Sequence, residues 1–270
     1  MDAYRRANRA LWDEWTAVNA RSTLYRLEEF RAGKNKLNAL ERAEVGDVRG
    51  RSLLHLQCHF GMDTLSWAML GANVTGVDFS EEAIRLARSL SEEMNLPARF
   101  VCCDVYELEQ HLQETFDIVY SSYGFLNWLS DLETWARIVA RYVRPGGFVY
   151  LAEFHPFAMV FDDAVQQAKW RVSYDYFEKR MLQFEVSGSY ADRLAVVQQP
   201  ISYEWLHSLS EIINSLLRAG LQLEFFNEHD FTVYEMFPFL KAQPDTIWRI
   251  PEDMKRVPLM FSLRARKPLG

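Results

Sequence analysis

The segment LLHLQCHFG, residues 53–61, places two histidines and a cysteine within five positions behind an apolar run. Imidazole nitrogens and thiolates are the usual ligands of zinc, so a metal site is the first chemistry to consider. His55 belongs to a predicted strand, whereas Cys58 and His59 are neighbours in the turn that follows it. No fourth ligand stands nearby at a zinc-binding spacing. We therefore interpret the segment as a turn that binds a small ligand, and we predict no metal.

The elements around this turn predict an alternating α/β chain. Short apolar runs separated by helical patterns predict parallel strands at residues 52–57, 73–77, 99–103, 116–120 and 148–154. Asp63 or Thr64 is expected to cap the helix after the first strand, and Ser80 the helix after the second. The Arg-Pro-Gly-Gly sequence at 144–147 predicts a turn into the fifth strand. The predicted fold class is a doubly wound, mostly parallel sheet, in which ligands bind beyond the carboxyl ends of the strands.

The second half of the chain predicts an insertion and then a return to the sheet. Residues 157–206 carry many aromatics without a helical period, and we expect them to lie over the active site. Ser208 and Glu211 form a capping box for a helix, and a strand is expected at 221–227. Residues 259–266 alternate apolar with polar side chains, which predicts an outer antiparallel strand. The expected organisation is an amino-terminal helical lid at 1–49, a cofactor-binding core at 50–156, the insertion at 157–206, and completion of the sheet at 207–270.

Composition excludes several classes of protein. With 270 residues and 49% hydrophobic side chains, the chain is long enough to form one large core. Its 30 basic and 37 acidic residues give a net charge of −7, so a wide basic face for nucleic acid is not expected, although a local patch is not excluded. No apolar stretch reaches the roughly 18 residues that span a bilayer, and the charged amino terminus lacks the apolar centre of a secretory signal. The three cysteines, two of them adjacent, are expected to be thiols in a cytoplasmic protein.

Four motifs follow one another along the predicted sheet: LLHLQCHFG at 53–61, GVDFS at 76–80, CCDVYEL at 102–108 and FDIVYSSYG at 116–124. In order and spacing they resemble the class I S-adenosylmethionine-dependent methyltransferases. The LHLQCHFG turn and the later EFHPF segment resemble a bacterial group within that family. The resemblance implies S-adenosyl-L-methionine as the cofactor, with the ribose on Asp78 and the adenine amino group on Asp104. The other implied cofactor-binding residues are Gln57, Cys58, His59, Gly61, Phe79, Ser80, Val105, Ser121 and Ser122.

The first turn departs from the family's pattern at three positions. In the family the first strand ends in a glycine-rich turn, and here Gly61 is kept while Gln57 and His59 stand where glycine is usual. His55 also stands where an acid is common. Two alternatives therefore stay open: a nicotinamide-dependent oxidoreductase, and a non-catalytic protein that binds S-adenosylmethionine or a nucleotide.

Methyl transfer depends mainly on alignment of the nucleophile, with a base when that nucleophile carries a proton. His155, directly after the fifth strand, is the candidate base, and a strand-end cap before Pro156 is its alternative role. Glu153 is the second catalytic candidate, with a paired role in the core as the alternative. The candidate substrate-binding residues, each of which could instead be structural, are Tyr123, Trp128, Trp170, Tyr190 and His207.

The substrate class follows by exclusion. Methyltransferases that act on amino groups of nucleobases commonly carry an Asn/Asp-Pro-Pro-aromatic motif after the fourth strand, where this chain has Ser121-Ser122-Tyr123-Gly124. With an acidic balance and an aromatic insertion, a small metabolite is the expected substrate, with neither nucleic acid nor membrane as partner. The protein is expected to be a monomer or a homodimer. The acceptor atom stays open among oxygen, nitrogen, sulfur and carbon.

Overall fold

The computed structural model describes residues 1–163, 168–244 and 247–269. The helices are α1 (Ala3–Arg21), α2 (Leu27–Arg31), α3 (Ala39–Val45), α4 (Met62–Met69), α5 (Glu81–Glu93), α6 (Leu132–Tyr142) and α7 (Leu209–Arg218). The strands are β1 (Ser52–Leu56), β2 (Asn73–Asp78), β3 (Ala98–Cys102), β4 (Phe116–Ser122), β5 (Val143–Phe154), β6 (Leu182–Glu185), β7 (Ile201–Glu204), β8 (Gln222–His229), β9 (Phe231–Thr232), β10 (Lys241–Ala242), β11 (Trp248–Arg249) and β12 (Met260–Arg266). None of the described helices is long and apolar enough to cross a membrane.

Seven of these strands form the central sheet, in the order β3-β2-β1-β4-β5-β12-β8. Strand β12 runs antiparallel to both of its neighbours, and the other pairings in this sheet are parallel. Buried side chains of α6 and α7 cover one face of the sheet, whereas side chains of α3 and α4 pack against the other. The predicted doubly wound, mostly parallel sheet is confirmed. The carboxyl ends of β1 to β4 therefore share one edge, where ligands bind in such folds.

The helix caps were partly predictable. Ser80 and Ser208 cap α5 and α7 as expected, each accepting a backbone N–H three residues ahead. The prediction that Asp63 or Thr64 caps α4 is wrong, because that helix begins one residue after Gly61, which is its N-cap. The side chains of Asp63 and Thr64 instead form hydrogen bonds with strand residues.

The last strand, β12, occupies an inner position, so its prediction as an outer strand is wrong. It pairs with β5 on one side and with β8 on the other. The polar side chains of its alternating pattern face other groups of the protein. Ser262 donates to Glu44 of α3 at 3.1 Å, and the guanidinium of Arg264 lies 3.8 Å from the centre of the Phe148 ring. The alternating pattern is real, but its polar side is covered by α3 and by an aromatic ring.

The Arg-Pro-Gly-Gly segment forms an irregularity inside β5 and not a turn before it. The register of β4 against β5 shifts between Phe116 and Ile118, so residues 144–147 lie outside the regular pairing. A Cβ atom at Gly147 would lie 2.7 Å from the carbonyl oxygen of Asp117. Glycine is required there because the two backbones approach so closely.

The predicted lid, residues 1–49, divides between two places. Helix α1 packs against α5 and β7, and Arg5 reaches the end of β3. Helix α3 packs on a face of the sheet, where Tyr120 donates to Glu41 and Tyr150 donates to Glu44 at 2.8 Å. Helix α1 thus lies against the carboxyl edge, while α3 packs on a face of the sheet.

The predicted insertion at 157–206 contains the antiparallel pair β6–β7, and β7 packs against α1. Residues 164–167 of this insertion lie outside the described residues, as do 245–246 and 270 of the carboxyl-terminal segment. The sequence does not predict a second insertion, which lies between β8 and β12. It forms the small sheet β10-β11-β9 and shares a hydrophobic cluster with Phe161 and Trp170. The region 207–270 therefore does more than complete the central sheet.

Candidate functional site

The turn after β1 has the backbone shape of a glycine-rich turn, although two of its residues carry long side chains. Gln57, His59 and Gly61 have φ angles of 56°, 51° and 76°, all in the left-handed region. The Cys58 N–H donates to a β2 carbonyl at 2.9 Å, which ties the turn to the neighbouring strand. A Cβ atom at Gly61 would lie 2.8 Å from the ring of Phe100. The glycine that the chain keeps is thus the one with no room for a side chain.

Asp78 closes β2 and connects the turn to α5. Its side chain is buried; Oδ2 accepts the His59 N–H at 2.8 Å and Oδ1 accepts the Ser80 N–H at 2.9 Å. Burial raises the pKa of Asp78 to about 6, and these hydrogen bonds oppose the rise. A carboxylate has about four acceptor positions, so Asp78 retains capacity for the hydroxyl groups of a ligand.

Helix α1 reaches the ends of β2 and β3 through two charged side chains. Asp13 accepts the Ser80 hydroxyl at 2.6 Å. Arg5 donates to Asp104 at 2.8 Å, and the other oxygen of Asp104 accepts the Tyr106 N–H at 3.0 Å. Burial raises the pKa of Asp104, against the effect of both contacts. Side chains of α1 thus contact Asp104 and the cap beside Asp78, where the resemblance places adenine and ribose.

Two buried polar atoms of the turn have no hydrogen-bond partner among the described residues, namely Gln57 Oε1 and His59 Nε2. The other polar atoms of these side chains are engaged: Gln57 Nε2 donates to the Phe125 carbonyl at 3.2 Å, and His59 Nδ1 lies 3.2 Å from the Tyr25 hydroxyl. Burial lowers the pKa of His59 to about 3, so its imidazole is neutral. An unsatisfied buried polar group costs about 1–3 kcal/mol, which a polar ligand at this turn would remove. The residues present therefore fit the amino-acid end of a small polar cofactor.

The remaining predicted cofactor-binding residues lie along the same edge, and several also serve the core. Val105 is buried in the main hydrophobic cluster, and Cys58 is a buried thiol whose pKa is raised by burial. Phe79 offers its carbonyl oxygen to the Cys102 thiol at 3.7 Å. Ser121 donates to a β1 carbonyl at 3.4 Å. Their contacts shape the edge, and a direct contact with cofactor stays a prediction for each.

Sequence reasoning missed two acidic side chains beside the ends of β1 and β4. Asp63, in the first turn of α4, accepts the Ser122 hydroxyl at 3.2 Å. Glu41 of α3 is fully buried and accepts the Tyr120 hydroxyl and the Asn38 N–H. Burial raises the pKa of Asp63 to about 7, and the charge of Glu41 adds to the rise. The Asn-x-x-Glu capping box at the start of α3 is the signal that could have pointed to Glu41.

Aromatic side chains from three segments meet beside the turn. The Trp12 ring of α1 lies 5.1 Å from the His59 ring and 5.4 Å from the Trp128 ring, centroid to centroid. The Tyr190 ring of the insertion lies 6.0 Å from Trp12 and 5.7 Å from Trp15. The structure therefore brings Trp128 and Tyr190, both predicted to bind substrate, together with α1. Aromatic faces of this kind attract a cation such as a sulfonium.

The other three predicted substrate-binding residues are spread out. Tyr123 directly follows β4, has a left-handed φ of 46° and packs against the cluster that includes α3. His207 places Nε2 2.7 Å from the Leu129 carbonyl and lines a small cavity of about 40 Å³. Trp170 donates to the Lys255 carbonyl at 2.8 Å and packs among the aromatics of the second insertion. The ring of Trp170 thus packs in a separate hydrophobic cluster, and its role in substrate binding stays a prediction.

His155 follows β5 but faces away from β4. Its Nδ1 accepts the Phe157 N–H at 3.0 Å, and its Nε2 lies 2.9 Å from a carboxylate oxygen of Glu228. Glu228 belongs to β8, two strands from β5 on the side opposite to β4. Burial lowers the pKa of His155, and the charge of Glu228 partly opposes this. These contacts are those of a strand-end cap, the alternative role, and the role of His155 as a base stays a prediction.

Glu153 anchors the loop after β4. Its buried carboxylate accepts backbone N–H groups at 2.5 to 3.2 Å from Gly124, Phe125, Leu126 and Phe154. Burial raises the pKa of Glu153, and the four donors oppose the rise. Backbone N–H groups of the protein fill its acceptor positions, so Glu153 holds the loop in place, and its catalytic role stays a prediction.

The histidines and the cysteine of residues 53–61 do not converge. His55 Nδ1 lies 2.8 Å from the Thr64 hydroxyl inside the core, whereas His59 turns to Tyr25. Within the part of the chain that the structure describes, no group of three or more His, Cys, Asp or Glu side chains could hold a metal ion.

The core of the chain matches a known family in sequence. Residues 53–147 match the family model described as "Methyltransferase domain". A ubiquinone biosynthesis O-methyltransferase of Chromobacterium violaceum is 28% identical over 46% of this chain and 53% of its own length. The chain thus spans about half the length of this curated relative.

Solved structures share the fold. The crystal structure of an S-adenosylmethionine-dependent methyltransferase from Mesorhizobium loti aligns with a TM-score of 0.60 at 23% identity, over 84% of this chain and 96% of that one. A glycopeptide N-methyltransferase complexed with S-adenosylmethionine aligns with a TM-score of 0.54 at 16% identity, over 84% and 90%. The fold is the Rossmann-like fold of the class I methyltransferases. Together with the matched methyltransferase domain, it supports S-adenosylmethionine as the cofactor.

Proposed function

We propose that the protein is an S-adenosylmethionine-dependent methyltransferase that acts on a small molecule. The observation that carries the proposal is the turn at 57–61, which combines a left-handed backbone, a hydrogen bond to Asp78 and two unpartnered buried polar atoms. When bound, S-adenosylmethionine supplies a methyl group on a positively charged sulfur for in-line displacement. The matched methyltransferase domain supports the same choice of ligand.

In this proposal the acids at the strand ends hold the nucleoside. Asp78 accepts hydrogen bonds from the ribose hydroxyls, and Asp104 accepts one from the adenine amino group. Arg5 of α1 already donates a hydrogen bond to Asp104. When the ligand binds, either α1 shifts or Asp104 accepts hydrogen bonds from both Arg5 and the adenine. Gln57 Oε1 and His59 Nε2 contact the amino-acid end, so polar side chains act there in place of the usual bare backbone.

The acceptor is proposed to be a small molecule with a hydroxyl group. Two observations support this choice: the curated relative is named as an O-methyltransferase, and Trp12, Trp128 and Tyr190 offer flat apolar surfaces beside the turn. Alignment against such surfaces can contribute on the order of 7–11 kcal/mol to the barrier reduction. Asp63 replaces His155 as the group proposed to take the acceptor's proton, because its pKa is about 7 and it lies beside the end of β4.

Calorimetric titration with S-adenosylhomocysteine and with NAD tests the choice of cofactor. We expect the wild-type protein to bind S-adenosylhomocysteine and not NAD. Asp78→Ala should weaken this binding by about 1.5–3 kcal/mol, the range for hydrogen bonds to a charged group. Asp131→Ala is the matched control, since Asp131 also accepts a backbone N–H at a helix start, at 3.0 Å, but caps α6.

Three outcomes would contradict the proposal. Binding of NAD alone would favour an oxidoreductase. If a folded Asp78→Ala variant binds S-adenosylhomocysteine as tightly as the wild type, the cofactor does not bind at this turn. Binding of S-adenosylhomocysteine without turnover on any member of a library of hydroxylated metabolites would leave a cofactor-binding protein that does not methylate them.

A further inference from the structure

We propose that the amino edge of the central sheet binds an oligophosphate group, in a pocket separate from the cofactor site. The pocket has a volume of about 450 Å³. Its lining includes the side chains that define what we call the arginine pocket, namely Arg49, Arg51, Arg144, Arg264 and Arg266. These side chains precede β1, belong to the first residues of β5, or end the antiparallel β12. All of them therefore lie at the edge opposite to Asp78 and Asp104.

Positive charge is in excess in the arginine pocket, although the chain as a whole carries −7. Three carboxylates neutralise part of this positive charge. Asp117 pairs with Arg144, Asp47 pairs with Arg49, and Glu224 pairs with both Arg264 and Arg266. Arg51 forms no ion pair with any carboxylate of the described residues. Five guanidinium groups against three carboxylates leave two positive charges, which favour an anionic ligand.

The acids of this edge are held as fixed negative charges. Asp117 Oδ2 accepts the N–H and the hydroxyl of Ser52 at 2.8 and 2.7 Å. Burial alone would raise the pKa of Asp117, but these hydrogen bonds and the charges of Arg144 and Arg51 keep it below its ordinary value. Asp117 is thus occupied within the protein and pairs with Arg144 in the lining of the pocket.

One guanidinium is already fixed in the pocket wall. Arg264 lies 3.8 Å from the centre of the Phe148 ring, and its Nε lies 2.5 Å from Glu224. A guanidinium that is stacked and paired loses little freedom when it binds a further group. Among the residues that line the pocket, Phe148 is the large apolar side chain, and Arg264 covers it. An apolar ligand would therefore find little surface to contact.

The shape and donors of the pocket fit a short phosphate chain. Planar guanidinium groups bind phosphate oxygens in a two-pronged geometry, with several N–H donors each. The volume falls at the lower end of the range for small-molecule sites, about 300–1,000 Å³. It admits a di- or triphosphate, either free or as the end of a nucleotide.

Calorimetry with tripolyphosphate at low salt tests the site. We expect saturable 1:1 binding that the double variant Arg49→Ala/Arg51→Ala weakens by about tenfold or more, since it removes two exposed charge-assisted donors. The matched control is Arg99→Ala/Arg137→Ala, which removes two exposed arginines elsewhere and changes the net charge equally. It should bind tripolyphosphate as the wild type does. Saturating S-adenosylhomocysteine should leave the binding unchanged.

A parallel titration with ATP distinguishes the two sources of the phosphate chain. Equal affinities for ATP and tripolyphosphate support a free oligophosphate, whereas tighter ATP binding that is lost in the Arg49→Ala/Arg51→Ala variant supports a nucleotide. The proposal is overturned if the wild type shows no saturable binding at millimolar tripolyphosphate, or if both double variants weaken it equally. Displacement by S-adenosylhomocysteine, or affinity for duplex DNA that grows with its length, would also overturn it.

Discussion

The two edges of the central sheet carry opposite chemistry. At the carboxyl edge Asp78 and Asp104 are buried, and the partly buried Asp63 lies beside the end of β4. At the amino edge the arginine pocket presents guanidinium groups around Asp117. Both edges are built by the same strands, so the fold does not set these charges. The residue types at the strand ends and in the loops beside them do so, for example Asp78 in β2 and Asp104 after β3.

The same type of side chain behaves differently at the two edges. Burial raises the pKa of Asp78 to about 6 and that of Asp63 to about 7. At the amino edge, hydrogen bonds from Arg49 lower the pKa of Asp47 to about 2, and the pKa of Asp117 is also lowered. Acids of the carboxyl edge can therefore exchange protons near neutral pH, while those of the amino edge act as constant charges.

The largest expected effect tests whether proton transfer belongs to Asp63. Asp63→Asn should lower turnover by about 10²- to 10⁴-fold, the usual contribution of a general base, while S-adenosylhomocysteine affinity stays close to that of the wild type. The wild-type rate should rise with pH through about 7, as the carboxylate loses its proton, and this limb should be absent in the variant. Steady-state kinetics across this pH range provide the measurement.

His155→Gln is the matched control for this prediction. His155 also follows a strand at the carboxyl edge, but it contacts Phe157 and Glu228. We expect its loss to lower the free energy of unfolding by about 1–3 kcal/mol through the lost buried contacts, with turnover near that of the wild type. A large loss of turnover in His155→Gln, with Asp63→Asn unaffected, would return the role of base to His155.

A second comparison places one alanine at each edge. Gly61 and Gly50 both have a left-handed φ, at 76° and 72°. A Cβ atom at Gly61 would lie 2.8 Å from the Phe100 ring, whereas a Cβ atom at Gly50 would have no described atom within 4 Å. Gly50→Ala should lower the free energy of unfolding by about 1–2 kcal/mol, because alanine disfavours the left-handed backbone conformation. Gly61→Ala should lower it by about 1–3 kcal/mol more, because the new methyl group overpacks against Phe100. Urea unfolding measures both, and equal losses would show that the turn relaxes around the new methyl group.

The sequence predicted the sheet and its carboxyl edge well, because those features depend on local patterns. Apolar runs, the cap at Ser80 and the acid that ends β2 can each be recognised within a few residues. The inner position of β12 could not be recognised in this way, since it depends on Glu44, far away in the chain, covering Ser262. The orientation of His155 depends likewise on Glu228. The sequence therefore places β12 and His155 near the right elements, but contacts with residues far away in the chain determine what they do.

The arginine pocket shows the same limit. Its five arginines come from three separate parts of the chain, and none of those parts contains a long basic run. The net charge of −7 left such a local patch open. Only the pairing of β5 with β4 and β12 brings Arg144, Arg264 and Asp117 to one place.

A third prediction concerns the response of the core between the two edges to acid. His55 is buried in β1, and burial lowers its pKa from 6.5 to about 3. The folded protein keeps it neutral while the unfolded chain binds a proton, so its contribution to stability is complete above pH 6.5 and is lost as pH falls toward 3. Between pH 6.5 and 5 the loss is about 2 kcal/mol.

Urea unfolding at pH 8 and at pH 5 measures this effect in the wild type and in His55→Gln. The wild-type free energy of unfolding should fall by about 2 kcal/mol more than that of the variant. Asp63 and Asp78, whose pKa values are raised, act in the opposite direction in both proteins and so cancel from the difference. An equal fall in both proteins would contradict the assignment of a neutral His55.

The smallest expected effect concerns the side chain that replaces a glycine in the turn. Gln57 has a φ of 56°, so Gln57→Gly and Gln57→Ala both remove its amide group but differ in backbone preference. Gln57→Gly should be more stable than Gln57→Ala by about 1 kcal/mol, because alanine carries the cost of the left-handed conformation. Both should lose the same affinity for S-adenosylhomocysteine if the amide holds the cofactor. If Gln57→Gly instead binds as tightly as the wild type, the backbone alone forms the cradle, and the amide of Gln57 serves only its hydrogen bond to Phe125.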